Sequence, residues 1–301
     1  MRLHNLEQRC TMCAGEMRRV SVRGVCPTHQ LISTPLHQHS ELQLRLAPAE
    51  LHGNALKLYL IRHTESENNA VLARNGAPEE RVPDPELTDI GHRQAELLGE
   101  HLAHPEAEPR QLPGWDSDRR GYELTHLYCS LMTRSILTAQ YIAGACGLNV
   151  TAHEDIYEYG GLFEHPGDGK TKFEGPGRDY FESRFPALDL PDTLGTSGWY
   201  GRPRESETEF LARTRRAVQD ILEAHGASND AVALVVHGDF IDQFINELLG
   251  FARREQNYAG HWVSNWAMHN TSVTRIDLHA ETRTVVYTNR IDHLPSKLVT
   301  W

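Results

Sequence analysis

Four short polar segments of the sequence carry residue types that can do nucleophilic and acid–base chemistry. Each one follows a stretch that is typical of a strand, and together they contain two histidines, two arginines and a carboxylate. The segments are Arg62-His63, Arg134 at the end of Ser130-Leu131-Met132-Thr133-Arg134, Glu158, and His237-Gly238. Because the carboxyl ends of parallel strands meet at one edge of a sheet, we expect these side chains to lie close together.

These residue types favour phosphoryl transfer through a histidine. A neutral imidazole can accept a phosphoryl group and pass it to water. Guanidinium groups match phosphate oxygens and stabilise the charge of the transferring group, and nearby cations keep an imidazole unprotonated. A carboxylic acid beside the leaving oxygen can protonate it. Because the arginines supply positive charge, we expect catalysis without a divalent ion or another cofactor.

Alternating strand and helix patterns surround the four segments and predict an α/β fold with a largely parallel sheet. The predicted strands are residues 56–61, 126–129 and 231–236, with a closing pair at 271–278 and 283–288. The predicted helices are residues 88–103, 133–146, 206–225 and 240–249, of which two begin at N-cap residues, Thr88 and Ser206. Two stretches without a period, residues 104–121 and 163–204, are predicted to be functional inserts.

The four segments resemble the motifs of the histidine phosphatase superfamily, which is also called phosphoglycerate mutase-like. The resemblance covers about residues 56–294, with the motifs in the family's order and each after a strand. It implies a three-layer α/β/α fold with a mostly parallel central sheet. It also implies a phosphatase of the cofactor-independent branch, acting on a small phosphorylated substrate.

The resemblance also implies roles for individual residues. His63 would be the phosphorylated nucleophile, Arg62, Arg134 and His237 would hold the phosphoryl oxygens, and Glu158 would be the general acid.

Further substrate contacts are implied near the first and last motifs. Asn69 matches an asparagine that the family uses near the phosphate, and Ser66 would cap a helix or touch the ligand. The backbone N–H of Gly238 would be a further donor. Thr64 stands where the family usually has glycine, so its side chain would crowd the pocket or add a hydroxyl contact.

Two further departures from the family pattern leave alternatives open. Glu158 is closer to the following glycines than in the usual acid motif, so Glu154, Asp155 and Glu164 are alternative acids. The basic substrate loop of the mutase branch is not found, which weakens a phosphomutase without excluding it. Basic and aromatic residues of the inserts are candidate contacts for the leaving group: Trp115, Arg119, Arg120, Lys170, Lys172, Arg178, Trp199, Tyr200 and Arg202.

The N-terminal 54 residues differ from the rest and are predicted to be an extension of residues 55–301. Cys10, Cys13, Cys26 and His29 have the spacing of a four-ligand structural zinc site, resembling a zinc ribbon or knuckle. The alternative is an extension without defined structure. A third function follows from this segment: a zinc-containing binding module whose phosphatase-like domain recognises a phosphorylated partner.

Composition limits the partners of the chain. Its 301 residues have a net charge of −11, which argues against binding to nucleic acid over the whole surface. The longest apolar run is six residues at 231–236, whereas a bilayer span needs about 20, so we expect no membrane association. The N-terminus has no apolar signal segment, so we expect a cytoplasmic protein.

Overall fold

A computed structural model describes residues 55–104, 121–162, 173–251, 265–279 and 282–301. Residues 1–54 lie outside the described residues, and so do the four predicted zinc ligands, Cys10, Cys13, Cys26 and His29. The boundary near residue 54 therefore stays a prediction. Most of the predicted insert at 104–121 is also outside the described part.

Seven strands form one mixed sheet. In chain order they are β1 (Ala55–Arg62), β2 (His126–Cys129), β3 (Val150–Ala152), β4 (Leu188–Asp189), β5 (Ala231–Val236), β6 (Val273–His279) and β7 (Thr282–Arg290). Their order across the sheet is β4-β3-β2-β5-β1-β6-β7. The five strands from β4 to β1 are parallel, and the β6–β7 hairpin adds to β1 in the antiparallel direction. The predicted α/β class with a mostly parallel sheet is confirmed.

The register of the two central strands places two histidines next to each other. β1 pairs with β5 from Lys57 opposite Ala231 to Arg62 opposite Val236. The residues that follow, His63 and His237, therefore leave the sheet side by side at its carboxyl edge.

Helices cover both faces of the sheet, which gives the three layers. They are α1 (Glu67–Ala73), α2 (Asp89–Ala103), α3 (Thr133–Cys146), α4 (Arg178–Arg184), α5 (Glu207–His225) and α6 (Gly238–Leu249). Side chains alternate along β1, so Tyr59 and Ile61 pack with α2 and α3, whereas Leu58 and Leu60 pack with α5 and α6.

Local capping explains where the predicted helices begin. The Thr88 side chain accepts from the N–H of Gly91 at 3.0 Å, and Ser206 forms a capping box with Glu209, as predicted. The last predicted helix begins at Gly238, two residues before the predicted start. The reason is that a carboxylate from another segment, Glu158, accepts the N–H groups of its first turn.

The predicted insert at 163–204 is more regular than expected. Its described part contains helix α4 and strand β4, and Phe181 of α4 is fully buried in the core. Two aromatic residues in a seven-residue helix are too few to show a helical period, so packing against the sheet determines this helix. Within the described ranges, no helix is both long and apolar enough to cross a membrane.

Candidate active site

A cavity of about 340 Å³ opens at the carboxyl edge of the sheet. Four of the five residues predicted to act in catalysis line it: Arg62, His63, Arg134 and Glu158. The predicted contacts Ser66 and Asn69 line it as well. The remaining wall consists of Asn68, Leu72, Arg81, Val82, Pro83, Pro85, Tyr159, Gly161, Arg204 and Asp239.

His63 is held as a neutral imidazole with a lone pair on Nε2. Its Nδ1 lies 2.7 Å from the carbonyl oxygen of Thr64, which can only accept, so the ring proton is on Nδ1. The Nε of Arg134 donates to Nε2 over 3.1 Å. Burial, and then the charges of Arg134 and Arg62, keep the pKa of His63 well below its ordinary value. The ring is therefore in the form that can attack phosphorus.

Contacts to the backbone of His63, from strand β5 and from the segment before β6, fix its position. Its N–H donates to the carbonyl of Val236 at 2.9 Å, and its own carbonyl accepts from the side-chain amide of Asn270 at 3.1 Å. Asn270 is held in turn by Thr300, whose carbonyl accepts the Asn270 N–H at 3.1 Å and whose hydroxyl donates to the Asn270 side chain at 3.0 Å. The position of His63 therefore depends on residues that are distant from it in the sequence.

The two arginines enter the site from different elements. Arg62 ends β1, and its Nη1 donates to the carbonyl of Met268 at 2.5 Å. Its Nε is buried and has no hydrogen-bond partner within the described residues. Arg134 lies in the first turn of α3, at the helix end that favours anions. Both guanidinium groups line the cavity.

A carboxylate that the sequence analysis missed holds the start of α3. Asp84 accepts the N–H of Thr133 at 3.0 Å and its hydroxyl at 2.7 Å. It thereby takes the place of an N-cap residue, since Met132 makes no side-chain cap. Asp84 is far from Thr133 in the sequence and lies in an irregular segment, so no sequence pattern indicated that it caps α3.

His237 is completely buried beside His63, with 5.1 Å between the ring centroids. Its Nε2 is 2.8 Å from the hydroxyl of Ser130, while Nδ1 has no partner in the described part of the chain. When Ser130 donates to Nε2, the ring proton is on Nδ1, which is then an unused donor. Burial and the charge of Arg134 lower the pKa of His237 well below its ordinary value.

The Glu158 carboxylate is bound by three backbone N–H groups. Oε1 accepts from Tyr159 at 2.9 Å and from Phe240 at 3.1 Å, and Oε2 accepts from Asp239 at 3.3 Å. These contacts tie the segment after β3 to the first turn of α6, which is how a loop carboxylate reaches the site.

Glu158 also has the electrostatics of an acid. Burial is the main effect and the neighbouring charge of Asp239 the second, and together they raise the pKa of Glu158 to about 7. The hydrogen bond from Tyr159 and the charges of Arg134 and Arg62 act in the opposite direction but are weaker. A substantial fraction of the carboxyl is then protonated near neutral pH. Asp239 itself lines the cavity, two residues after His237 in the sequence.

Two of the three alternative acids lie away from the cavity. Glu154 is exposed on a turn, and Asp155 forms an ion pair with Arg216 at 2.8 Å. Neither lines the cavity. Glu164 lies outside the described residues.

Ser66 and Asn69 form a capping box at the start of α1. The Ser66 hydroxyl and N–H donate to Oδ1 of Asn69 at 2.9 and 3.1 Å, while the N–H of Asn69 approaches the Ser66 hydroxyl at 3.4 Å. Both residues face the cavity, so Ser66 is a helix cap and also a wall residue.

The structure does not bring Thr64 to the cavity. Thr64 is fully buried, and its hydroxyl lies 3.2 Å from that of Thr138 on α3. The expectation that it crowds the pocket or contacts the ligand is therefore corrected: it joins β1 to α3. Gly238 begins α6 beside Arg62, whose Nε would be 3.6 Å from a Cβ at that position.

Two further arginines at the cavity were not singled out by the sequence analysis. Arg81 and Arg204 both line it, and the charge of Arg204 adds to burial in lowering the pKa of Arg81. The Nε of Arg81 is buried without a hydrogen-bond partner in the described segments. Arg204 lies 5.9 Å from the centre of the Tyr159 ring, another wall residue.

The described candidates of the second insert pack behind the site rather than lining it. Trp199 and Tyr200 pack edge-on against Tyr157, and Arg202 lies over the rings of Tyr157 and Tyr200. Arg178 donates to the carbonyls of Leu194 and Pro191 within the insert. The other candidates lie outside the described residues: Trp115, Arg119, Arg120, Lys170 and Lys172.

One group of three possible metal ligands occurs among the described residues, at the opposite edge of the sheet. It consists of His126, His225 and Asp230. Both ring nitrogens of His225 are already engaged, with Asp230 at 2.8 Å and the hydroxyl of Tyr128 at 2.9 Å. The arrangement is therefore that of a hydrogen-bonded network.

The chain belongs to the histidine phosphatase superfamily (branch 1), whose family profile matches residues 58–291. The resemblance stated from the four sequence segments is thereby confirmed. The match includes every residue of the cavity wall.

The chain is also similar to curated relatives and to solved structures. The probable phosphoglycerate mutase GpmB of Yersinia pestis is 28% identical over 224 residues, which cover 74% of this chain and 85% of the relative. YhfR of Bacillus stearothermophilus is 22% identical with a TM-score of 0.48, covering 79% of this chain and 98% of that one. A phosphoserine phosphatase of Entamoeba histolytica, in complex with 3-phosphoglyceric acid, is 21% identical with a TM-score of 0.47, covering 80% and 100%.

Proposed function

We propose that this protein is a metal-independent phosphomonoesterase that works through a phosphohistidine at His63. The observation that carries the proposal is the neutral Nε2 of His63 at 3.1 Å from Arg134, in a cavity that Arg62 and Glu158 also line. A nucleophile, two permanent cations and an acid of raised pKa are the groups that phosphoryl transfer through histidine requires.

In the first step, Nε2 of His63 attacks phosphorus and the bond from phosphorus to the ester oxygen breaks. Glu158 gives its proton to that oxygen, which leaves as an alcohol. The positive charge that would develop on the imidazole is placed close to the three phosphoryl oxygens, and its Nδ1–H remains bonded to the carbonyl of Thr64. In the second step, water attacks phosphorus, Glu158 takes a proton from that water, and the bond from phosphorus to Nε2 breaks.

The phosphoryl oxygens would be bound by donors that have no partner at present. The Nε of Arg62 and Nδ1 of His237 are both buried and unpaired within the described chain, and such groups cost free energy until they are bonded. Arg134 would exchange its bond to Nε2 for bonds to the phosphoryl group, which frees the lone pair for attack. The two arginines would replace the charge that a divalent ion supplies in other phosphotransfer enzymes.

We further propose that the substrate is a small phosphomonoester with a second anionic group. The cavity volume of about 340 Å³ suits a small molecule. Arg81 and Arg204 provide positive charge at the cavity beyond the two arginines assigned to the phosphoryl group. A carboxylate or a second phosphate would pair with them.

A phosphomutase is the second candidate, because the curated relative from Yersinia pestis is named a probable phosphoglycerate mutase. Both activities share the phosphohistidine and differ in what accepts the phosphoryl group. In a mutase, a hydroxyl of a bound phosphorylated acid would replace water. Arg81 and Arg204, which we call the second cationic pair, would bind the substrate in either reaction.

The test is direct detection of the phosphorylated enzyme. The protein is mixed with a phosphate-labelled monoester and quenched in base, in which phosphohistidine survives. We expect label on the wild-type protein, none on His63→Ala, and a loss of turnover of at least about 10³-fold in that variant. His92→Ala is the control, since His92 contacts Tyr141 on the outside of α2 and α3.

The outcomes separate the two candidate activities. Unchanged turnover in His63→Ala would refute the phosphohistidine. Transfer of label to added glycerate or phosphoglycerate in preference to water would replace the phosphatase with the mutase.

A further inference from the structure

A buried ion pair lies directly behind the segment that carries Glu158. Arg213 of α5 donates from Nε and Nη2 to the two carboxylate oxygens of Glu205, both at 2.7 Å. The side chains of both residues are 1% exposed. Removing two charges from water is expensive, and a well-packed apolar pair is often as stable, so stability alone does not explain the pair.

The free edge of the Arg213 guanidinium holds the acid segment. Its Nη1 donates to the carbonyls of Asp155 and Tyr157, at 2.8 and 2.9 Å, so it bonds the peptide group immediately before Glu158. The guanidinium carbon also lies 3.5 Å from the centre of the Tyr157 ring. Two donor contacts to backbone carbonyls and one stacking contact therefore hold the segment on this side.

Glu205 holds the same segment from the other side. Its N–H donates to the carbonyl of Gly160 at 3.2 Å, and its Oε1 accepts from the Tyr157 hydroxyl at 3.3 Å. Gly160 is also bonded by the hydroxyl of Tyr200 at 2.9 Å. The side chains of the ion pair therefore contact residues before Glu158, and the backbone N–H of Glu205 contacts a residue after it. Neither Arg213 nor Glu205 lines the cavity.

We propose that the Arg213–Glu205 pair is a positioning device that aims the Glu158 carboxyl at the leaving oxygen. This inference rests on the proposed function, in which Glu158 is the general acid. The segment has no strand or helix of its own from residue 153 to residue 162, so the pair replaces the support that regular structure would give. An acid that is misplaced by even one ångström loses much of its effect.

The test uses two substrates that depend differently on an acid. An alkyl phosphate with a second anionic group has a poor leaving group and needs protonation, whereas p-nitrophenyl phosphate has a good leaving group and needs little. We compare kcat/KM, which reports the step that forms the phosphoenzyme, in Arg213→Lys and in Glu205→Gln. Glu158→Gln is the reference, and Arg275→Lys is the control.

Arg275 is a matched control because it makes the same kind of two-pronged contact. It donates to both oxygens of Asp277 at 2.7 Å, is 4% exposed, and lies 5.7 Å from the centre of the Tyr59 ring. Like Arg213, it does not line the cavity. Any general effect of shortening a buried arginine should appear in Arg275→Lys.

We expect kcat/KM of Arg213→Lys and of Glu205→Gln to fall by about tenfold or more with the alkyl ester and by less than about threefold with the aryl ester. Glu158→Gln should show the same preference for the aryl ester. Arg213→Lys is expected to keep part of the activity, because lysine keeps the charge but cannot make four directed contacts. Equal losses with the two substrates, or the same pattern in Arg275→Lys, would overturn the inference. If Glu158→Gln itself treats the two esters alike, the assignment of the acid fails instead.

Glu205→Gln keeps the test valid if Arg213→Lys does not fold. Glutamine has the shape of glutamate and retains an acceptor for Arg213, and the backbone N–H to Gly160 is unchanged. Folding is checked by circular dichroism and by thermal melting well above the assay temperature.

Discussion

The Nε of Arg134 donates to Nε2 of His63 over 3.1 Å, so a permanent cation is bonded to the atom assigned as the nucleophile. The contact favours the neutral ring, because a protonated Nε2 would be a second donor facing the first. It also covers the lone pair until an anion arrives to bind the guanidinium. The resting site is thus neutral at the histidine and positive around it.

Replacing Arg134 should move the acidic limb of the pH–rate profile. The charge of Arg134 is, after burial, the largest cause of the low pKa of His63, so Arg134→Gln raises that pKa. As the pH is lowered, His63 then becomes protonated at a higher pH than in the wild type, and the acidic limb moves to higher pH. We also expect kcat/KM at the optimum to fall by about 10²- to 10³-fold, the usual cost of losing one donor to a developing anion. Arg93→Gln, an exposed change on α2, should move neither quantity.

The alkaline limb should report Glu158. Its pKa of about 7 means that the protonated acid is lost as the pH rises above that value, so kcat/KM for an alkyl ester should decline tenfold per pH unit there. Asp239→Asn removes a negative charge that raises this pKa, and the limb should move to lower pH. A shift to higher pH in Asp239→Asn would contradict the electrostatic assignment.

Glu158 should also make the protein less stable at neutral and alkaline pH. Its pKa is higher in the folded state than the ordinary value of 4.5, so the folded state loses stability as the pH rises from that value through about 7. Glu158→Gln does not titrate and escapes this loss. Above pH 7, we expect its free energy of unfolding to be about 1–3 kcal/mol higher than that of the wild type, and we expect this difference to vanish at acidic pH. Urea unfolding at both pH values measures this, and a difference independent of pH would count against it.

The second cationic pair should affect binding in proportion to the charge of the substrate. Arg81→Ala and Arg204→Ala remove partners for a second anionic group, so KM for phosphoserine or 3-phosphoglycerate should rise by about tenfold or more. KM for p-nitrophenyl phosphate, which has one anionic group, should change little. Arg74→Ala is the nearby control, since Arg74 pairs with Glu80 and does not line the cavity. Equal increases for both kinds of ester would refute the subsite.

Removing metal should leave turnover intact. The groups proposed to bind the phosphoryl oxygens are guanidinium and imidazole donors, so we expect full activity after prolonged treatment with EDTA. Elemental analysis of the same sample shows whether zinc was present and was removed, which addresses the predicted N-terminal ligands separately. Activity that falls with EDTA and returns with a divalent ion would refute a metal-independent reaction.

The central part of the site could be predicted because it depends on strand ends. The six-residue apolar run at 231–236 and the strand before Arg62 predict neighbours in a parallel sheet, and the residues after them must then meet. The orientation of Thr64 also had a signal: side chains alternate in an extended chain, so a residue next to His63 is expected to face the other way.

The rest of the site could not be predicted, since it comes from irregular segments. Asp84, Arg81 and Arg204 reach the site along loop paths that no hydrophobic period encodes. The contact between Glu158 and the first turn of α6 likewise depends on how a ten-residue loop folds back. Buried contacts of Arg213 fix that loop, and a sequence shows an arginine on a helix without showing which face is buried.

The anchoring of His63 by Asn270, and of Asn270 by Thr300, has a consequence for synthesis of the protein. A growing chain on the ribosome has already made every wall residue of the cavity once Asp239 is added. It still lacks the carbonyl of Met268 that binds Arg62 and the amide of Asn270 that binds His63. A nascent chain that ends between Asp239 and Met268 should therefore have a complete cavity wall without the supports of Arg62 and His63, and any activity should arise only after Asn270 has been added.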